Sequence, residues 1–350
     1  MEPQEEPKPK RRVRYSGTHP KTFKEKYKEL NPELYSEDVQ KVMQQGRTPA
    51  GMHRSICVDE ILEVLHPAPG EVGLDATLGY GGHTLELLKC IQPGGKLFSI
   101  DVDPIELPRT KERLEKLGFG EDKVVIQKMN FSEIDMLEEQ AGLFNFVLAD
   151  LGVSSMQIDN PDRGFSFKIE GPLDLRLNPK SGKPVSEYLK SCSAEFLEEL
   201  FLVNSDEPHA ARISTAIVEA INRGRVIETT THLYSIIEEA LSFLPASTRK
   251  DELKKACQRC FQALRIAVND EFGVLESFLE KLPYALAPGA RVVILTFHSG
   301  EDRRVKKAFQ ALYRQGVYSA IAQEPMRPSA QEIFSNPRAK STKLRWAIKA

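Results

Sequence analysis

The sequence lacks the features that mark membrane-spanning, disulfide-rich and strongly charged proteins. Its longest apolar runs, such as residues 144–148 and 292–295, are the size of strands and far shorter than the ~20 residues of a membrane span. Lysine and arginine total 48 against 50 aspartate and glutamate, so the chain as a whole has no general polycationic affinity for nucleic acid. Five cysteines, an odd and scattered set, favour a reducing compartment over a disulfide framework: Cys57, Cys90, Cys192, Cys257 and Cys260.

Targeting signals are also missing from the N-terminal residues. The stretch MEPQEEPKPKRR has neither the apolar region of a secretory signal nor the Ser-rich amphipathic pattern of a transit peptide. We therefore expect a cytoplasmic protein, or one of an organelle matrix or stroma if the chain is a processed eukaryotic form. With 41% hydrophobic and 28% charged residues over 350 positions, the composition is that of a globular protein with one large domain or two. We expect no membrane partner, and the oligomeric state stays open.

Residues 1–50 differ in composition from the rest and form a predicted basic, partly disordered N-terminal arm. Between residues 8 and 28 there are nine Lys/Arg and one acid, and aromatic residues are interleaved with them. One interpretation is a solvated tail, because most charge runs have that role. The other is an arm that lies along a phosphate backbone. Composition alone does not choose between the two.

The remainder of the chain predicts an α/β protein. In residues 51–155, short apolar strands alternate with helical patterns, which is typical of right-handed βαβ units on a parallel sheet. The same pattern resumes in residues 262–350, where residues 291–297 form a strongly β run. Residues 156–261 show mostly helical periodicity instead. We predict a mostly parallel, Rossmann-like sheet domain with an inserted, mostly helical substrate-binding domain.

A glycine-rich turn follows the first predicted strand and points to a bound nucleotide-like ligand. Gly79, Gly81 and Gly82 lie between that strand and the next helix, where glycines allow a ligand to approach the backbone closely. Asp101 ends the second strand 20 residues after Gly81, the position of a ribose-hydroxyl acceptor in nucleotide-binding sheets.

The residues around this turn favour S-adenosylmethionine over other nucleotides. Thr84 stands where the dinucleotide pattern requires a small residue, and no lysine follows the glycines as it does in ATP- and GTP-binding loops. Asp75, at the end of the first strand, suits a cationic amino group. S-adenosylmethionine carries an ammonium, a sulfonium and a ribose but no phosphate, so we predict it as the cofactor, with Asp75 and Gly79 among its ligands.

Polar and aromatic residues after the fourth strand are candidates for the acceptor site. Asp150 ends that strand and is our candidate for orienting the donor or an acceptor amine. The segment after it lacks the stacking aromatic of many amino-methyltransferases, so Phe165 or Phe167 is expected to stack on the acceptor. Further candidate substrate ligands lie downstream in the chain, at Arg163, Arg176 and His298. His298 is by the plainest interpretation a helix N-cap.

Several motifs follow one another in a fixed order: DATLGYGGHT, DVDP, ADLGVSSMQID, RGFSFKIEGPLDLRLNP, FQALRIAVNDE, TFHSGEDRRVKKAF and NPRAKSTKLRW. Together they closely resemble the MraW/RsmH family, the bacterial small-subunit ribosomal RNA (cytosine-N4-)methyltransferases, over residues 53–350. The resemblance implies a class I methyltransferase fold and transfer of a methyl group to the exocyclic N4 of a cytosine in the decoding region. It implies as partner an assembled or assembling small subunit. It places cofactor contacts on Gly81, Gly82, His83, Asp101, Phe131, Asp150 and Gln157.

Two other function classes fit parts of the pattern. An NAD-dependent oxidoreductase would share the architecture, but Thr84 and the lack of a catalytic His or Tyr-Lys arrangement count against it, and a cofactor-binding assay separates the two. The second class is a non-catalytic RNA-binding assembly factor. The intact glycines and acids argue against it, and failure to bind the methyl donor would favour it. Cys257 and Cys260 form a CxxC on a helical stretch without a second pair, so we predict no metal site.

Overall fold

A computed structural model describes residues 55–350 of the chain. The predicted basic arm at residues 1–50 lies outside the described residues. Within the described part, no helix is both long and apolar enough to cross a membrane.

Seven strands of the described part form one sheet: β1 (Val72–Asp75), β2 (Lys96–Asp101), β3 (Val124–Lys128), β4 (Phe144–Asp150), β5 (Leu286–Thr296), β6 (Tyr318–Ile321) and β7 (Lys343–Lys349). Their order across the sheet is β3-β2-β1-β4-β5-β7-β6. The first five strands in this order are parallel, and β7 runs antiparallel to both of its neighbours. Strand order reverses between β1 and β4, and the crevice at such a point is where open α/β sheets bind ligands.

Helices connect the strands and cover both faces of the sheet. Those that precede or connect the first strands are α1 (Val58–Leu65), α2 (Gly82–Ile91), α3 (Glu106–Lys116), α4 (Glu138–Ala141) and α5 (Ser155–Asp159). The helical stretch that follows contains α6 (Val185–Tyr188), α7 (Ala194–Ser205), α8 (Ala210–Asn222), α9 (Thr230–Ala240) and α10 (Ala246–Asn269). The last helices are α11 (Glu271–Lys281), α12 (Ser299–Arg314) and α13 (Ala330–Ser335).

Each face of the sheet has its own apolar core. Alternate residues of β4 point to opposite faces, so Val147 packs with one cluster and Phe146 and Leu148 with the other. Gly73 of β1 has no side chain because the ring of Phe146 occupies the space that its Cβ would need. The sheet is therefore packed closely where β1 and β4 meet, and the site at their carboxyl ends has a rigid base.

The helices α6–α10 enclose a third apolar cluster, built around buried residues such as Phe201, Ile213 and Ile237. The cysteines of the CxxC, Cys257 and Cys260, lie fully buried in it, and burial raises the pKa of Cys257 to about 12. Neutral thiols packed against apolar side chains fit a structural role. Helix α10 continues eight residues beyond residue 261, the predicted end of the inserted domain. The assignment of residues 156–261 as a substrate-binding domain stays a prediction.

Candidate functional site

Three carboxylates meet at the carboxyl edge of the sheet. Asp75, Asp101 and Asp150 are the last residues of β1, β2 and β4, and β1 pairs in parallel with both of the other strands. Because parallel strands end at the same edge, the three side chains that the sequence selected lie in one crevice. This concentration of negative charge suits a cationic ligand.

Asp75 is buried and anchors the turn that follows it. Thr84 Oγ1 donates a hydrogen bond of 2.6 Å to Asp75 Oδ2, and the N–H of Thr77 donates one of 3.1 Å to Oδ1. Burial raises the pKa of the carboxyl group. No sequence signal singles out Thr77, and Thr84 departs from the dinucleotide pattern without indicating its bond to Asp75. Direct binding of a cationic group by Asp75 stays a prediction.

The glycine-rich turn needs its glycines for backbone geometry and for space. Gly79 and Gly81 have φ of 47° and 67°, in the left-handed region that side chains disfavour. A Cβ on Gly81 would lie 2.9 Å from Cγ2 of Thr110, which is too close. Thr110 also fixes the turn directly, because its Oγ1 donates a 2.8 Å hydrogen bond to the Gly79 carbonyl. Gly82 begins α2 immediately afterwards.

Asp101 joins this turn to the end of β2. Its Oδ2 accepts a 2.7 Å hydrogen bond from the N–H of Gly79, and its Oδ1 accepts one of 2.8 Å from the N–H of Asp103. Burial raises the pKa of Asp101 to about 6. Each carboxylate oxygen has a second lone pair, so Asp101 remains able to accept a hydrogen bond from a ribose hydroxyl.

Asp103 is a buried carboxylate that links two segments of the site and that the sequence pattern does not mark. It is 1% exposed, and its Oδ2 accepts hydrogen bonds from Gln157 Nε2 at 2.8 Å and from Arg163 Nη1 at 2.7 Å. These bonds tie the end of β2 to the segment that follows β4. The only sequence signal is a second acid two residues after Asp101. Its side-chain partners, Gln157 and Arg163, lie more than 50 residues further along the chain.

Asp150 has an arrangement unlike that of the other carboxylates. Its Oδ1 is buried and has no hydrogen-bond partner among the described residues, and its Oδ2 lies 3.5 Å from His83 Nδ1. His83 Nε2 lies 2.9 Å from the carbonyl oxygen of Ile56, an acceptor, so Nε2 carries a proton and Nδ1 faces Asp150. Burial raises the pKa of Asp150 to about 6. A carboxylate with one unpartnered oxygen suits a substrate N–H group.

Phe131 follows the end of β3 by three residues. It begins a 3₁₀ helix, Phe131–Leu137, and its half-buried ring contacts the ring of Phe278 edge-to-face at 5.1 Å. The N–H of Met129 donates to the Asp101 carbonyl, which holds this segment beside the end of β2. Contact of Phe131 with the cofactor stays a prediction.

The predicted substrate ligands after α5 lie in internal contacts. Arg163 is 5% exposed, and besides Asp103 its guanidinium binds the carbonyls of residues 176 and 177. Phe165 and Phe167 pack with the helical cluster, and Phe167 contacts the rings of Tyr234 and Phe261. Arg176 forms a two-bond ion pair with Asp174. These contacts favour a role in ordering the loop; their roles in substrate binding stay predictions.

His298 is the N-cap of α12, as predicted, since its Nδ1 accepts a hydrogen bond from the N–H of Glu301. Its Nε2 lies 3.2 Å from Glu301 Oε1. Glu301 Oε2 in turn accepts a 2.8 Å hydrogen bond from the N–H of Phe297, at the end of β5. The pair orders the chain beside Asp150, and direct substrate contact by His298 stays a prediction.

The sequence profile of one family, the MraW methylase family, matches residues 50–350. The chain belongs to the MraW methylase family. It is 64% identical over 345 residues to "Ribosomal RNA small subunit methyltransferase H 2" of Alkaliphilus metalliredigens, and this alignment covers 99% of each chain. It is 61% identical over 346 residues to "Ribosomal RNA small subunit methyltransferase H 1" of Lachnoclostridium phytofermentans, and this alignment covers 99% of this chain and 94% of the relative.

A solved structure was also found to be similar, the SAM-dependent O-methyltransferase of Thermotoga maritima. It is 11% identical, with a TM-score of 0.38, and covers 84% of this chain and 64% of its own. Both relatives named above align over all but a few residues of this chain, so the alignments include most of residues 1–50. The family profile, in contrast, begins at residue 50.

Membership of the MraW methylase family confirms the family resemblance that the motifs carried. The α/β architecture and the seven-stranded, mostly parallel sheet confirm the class I methyltransferase fold. S-adenosylmethionine is the cofactor, as predicted. The residues fit it: the carboxylates offset its positive charge, and the buried Oδ1 of Asp150, without a partner among the described residues, faces this edge as a hydrogen-bond acceptor.

In this MraW family member, cofactor affinity is expected to fall at low pH. A cationic ligand favours ionised carboxylates, and Asp101 and Asp150 both have a pKa raised by burial to about 6. Protonating each group at pH 5 should weaken binding by up to about 10-fold relative to pH 7.5. The groups that face these two carboxylates are Asp75, Asp103, His83 and Glu301.

Calorimetry of S-adenosylmethionine binding between pH 5 and pH 8 checks this expectation. Titrations in two buffers with different ionisation enthalpies should show proton release near pH 6 and none at pH 8. Asp101→Asn is the matched variant, because it should remove part of the proton release. An affinity that stays constant from pH 5 to pH 7.5 would contradict the expected ionisation of the site.

Proposed function

We propose that this protein transfers a methyl group from S-adenosylmethionine to small-subunit ribosomal RNA, at the exocyclic N4 of a cytosine in the decoding region. The ribosomal RNA substrate is supported by the names of relatives that are 64% and 61% identical over nearly the whole chain. The observation that carries the choice of an amine is Asp150, whose buried Oδ1 has no partner among the described residues. An exocyclic amine is a hydrogen-bond donor, and this oxygen is an acceptor at the edge where the cofactor residues meet.

The chemistry requires help from the protein because the N4 lone pair is delocalised into the cytosine ring. Asp150 accepts a hydrogen bond from the amine, which orients the nitrogen and stabilises the positive charge that develops on it. S-adenosylmethionine, when bound, supplies an electrophilic methyl group. The new N–C bond forms as the methyl–sulfur bond breaks, the sulfur leaves as a neutral thioether with the bonding electron pair, and the amine loses one proton. Asp150 takes up that proton, and His83 Nδ1, 3.5 Å from its carboxylate, stabilises the protonated pair.

Other residues position this carboxylate. The N–H of Asp150 donates a 2.7 Å hydrogen bond to Thr77 Oγ1, which links the end of β4 to the glycine-rich turn. The bonds from Gln157 and Arg163 to Asp103 hold the segment after β4 against the end of β2. The glycine-rich turn and the Asp150 carboxylate are thus held in fixed positions relative to one another. In-line transfer of a methyl group requires such positioning.

The domain roles belong to the same proposal. Residues 156–261 would hold the RNA, and the basic arm at residues 1–50 would bind ribosomal RNA phosphates in an assembled or assembling small subunit. That substrate agrees with the predicted cytoplasmic location.

The expected product is N4-methylcytidine in small-subunit ribosomal RNA. Unmodified small subunits incubated with the protein and labelled S-adenosylmethionine should yield this nucleoside by mass spectrometry after digestion, and subunits without the protein should not. Because positioning and electrostatics carry the reaction, activity should persist in EDTA when excess Mg²⁺ keeps the small subunits folded. Methyl label found only in DNA, protein or a small molecule would overturn the proposal, and so would inhibition by EDTA that only zinc reverses.

A further inference from the structure

A loop near the C-terminus leaves the sheet and returns to it at one point. Met326 and Leu344 form an antiparallel bridge with both backbone hydrogen bonds, of 2.9 and 3.0 Å. Arg327 Nη1 donates a 3.1 Å hydrogen bond to the carbonyl of Thr342, which closes the ends further. We name the intervening residues, 327–342, the return loop. It contains α13 and a 3₁₀ helix, Pro337–Ser341.

The return loop stands at the carboxyl edge of the sheet, beside the carboxylate crevice. Asp150 pairs with Leu295 on β5, and Leu295 pairs with Leu344 on β7. Strands in a sheet lie about 4.8 Å apart, so the base of the loop is roughly 10 Å from Asp150. That distance corresponds to about three stacked nucleotides at ~3.4 Å each.

Two anchors fix the return loop over this edge. Glu332 Oε1 accepts a 3.0 Å hydrogen bond from the N–H of Cys57, just before α1. Arg338 binds Asp159, at the end of α5, through two hydrogen bonds, the shorter of 2.6 Å. The loop is therefore held to segments on both sides of the site.

The outer surface of the return loop is aromatic and basic. Phe334 is 90% exposed, although burial of a phenylalanine side chain is normally favourable by about 1.5–3 kcal/mol. The loop contains three basic residues and one acidic residue. The acidic residue, Glu332, and one basic residue, Arg338, form the two anchors. The other two, Arg327 and Lys340, are exposed. An exposed aromatic ring beside cations is the combination that binds single-stranded nucleic acid by stacking and phosphate contacts.

We propose that the return loop is an RNA-binding element in which Phe334 stacks on an unpaired base near the methylated nucleotide. Lys340 and Arg327 contact the flanking phosphates. The positive charge of the loop selects RNA over an apolar protein partner. This inference rests on the proposed ribosomal RNA substrate and adds to it a contact site outside the crevice.

The test compares Phe334→Ala with a matched control, Tyr284→Ala. Tyr284 is 82% exposed in the 3₁₀ helix Leu282–Ala285, which precedes β5 and so lies at the opposite edge of the sheet. Phe334→Ala should raise the KM for unmodified small subunits by about 5- to 100-fold, the range expected for loss of one stacked base. Its kcat and its affinity for S-adenosylmethionine should not change. Phe334→Tyr should restore the KM, and Tyr284→Ala should equal wild type.

A second measurement addresses the phosphates. Lys340→Ala should reduce the slope of log affinity against log salt by about 0.7, and the control Lys349→Ala, at the far end of β7, should leave the slope unchanged. A wild-type KM for Phe334→Ala would overturn the assignment of the loop. So would a change in sedimentation of that variant, which would assign the ring to contact between copies of this chain. Wild-type protein that fails to bind or methylate small subunits would overturn the proposed function itself.

Discussion

Replacing Asp150 with asparagine is expected to lower kcat about 100- to 1000-fold, the usual effect of removing one group that stabilises developing charge. Asparagine has nearly the same shape and keeps the backbone hydrogen bond to Thr77. It cannot balance the positive charge on the methylated amine or take up its proton. Single-turnover methyl transfer to small subunits, with both substrates saturating, measures this effect.

Two controls separate catalysis from folding and cofactor binding. Asp162→Asn changes an exposed carboxylate of the neighbouring 3₁₀ helix, Pro161–Arg163, and should leave kcat unchanged. The raised pKa of Asp150, about 6, means that its ionised form costs folding stability at pH 7, and that this cost fades as pH falls through 6 towards 4. Asp150→Asn should therefore be no less stable than wild type at pH 7. Retention of more than half of kcat would contradict the proposed role.

Gly81→Val is expected to weaken S-adenosylmethionine binding by about 100-fold or more. Valine disfavours the left-handed backbone at this position, and its Cβ would collide with Thr110, which fixes the Gly79 carbonyl. Displacing the turn also breaks the hydrogen bond from Gly79 to Asp101, and a bond to a charged group contributes about 1.5–3 kcal/mol. Calorimetry on the purified variant gives the dissociation constant.

Gly118→Val is the matched control for backbone strain. Gly118 has φ of 86° and open space around its Cβ position, at the end of α3 and far along the chain from the turn. Both variants should lose thermal stability, but only Gly81→Val should lose cofactor affinity. Asp101→Ala, which removes the acceptor for Gly79, should weaken binding about 10- to 150-fold. Wild-type affinity in both Gly81→Val and Asp101→Ala would place the cofactor elsewhere.

The sequence was sufficient to predict the crevice because its signals are local. Three apolar strands, β1, β2 and β4, each end in an aspartate, and glycines follow the first of them. Once the sheet is parallel, these side chains share one edge. Asp75, Asp101 and Asp150 were found in this way. The existence of the helical stretch followed equally from periodicity, and its predicted end at residue 261 falls inside α10 because helix ends are weak signals.

The partners of buried polar groups could not be predicted, since they come from distant parts of the chain. The alternation of aromatic and basic residues around Arg163 is typical of a nucleic-acid surface, yet Asp103, 60 residues earlier, takes up that guanidinium. Sequence pattern does not tell which face of an irregular loop is covered. For the same reason Phe165 and Phe167 gave no sign that they pack with the helical cluster.

Two elements near the C-terminus were missed for a different reason. Strand β6 has only four residues, with an exposed Ser319 in its centre, so its apolar alternation is too short to detect. Helix α13 has no buried residue and therefore no apolar periodicity. Phe334, the most exposed of the large apolar side chains in the described part, appears in the sequence as an isolated aromatic residue.

The bridge between Met326 and Leu344 makes the return loop a separable module. Because the two ends already meet in the sheet, lengthening the loop where the Glu332 and Arg338 anchors are kept adds only closure entropy, about 0.6 kcal/mol for each doubling of its length. Strand register and the three carboxylates are set elsewhere and do not change with it. Descendants of this chain can therefore alter the RNA neighbourhood that they recognise by insertion or exchange within residues 327–342, while inheriting the methyl-transfer edge intact.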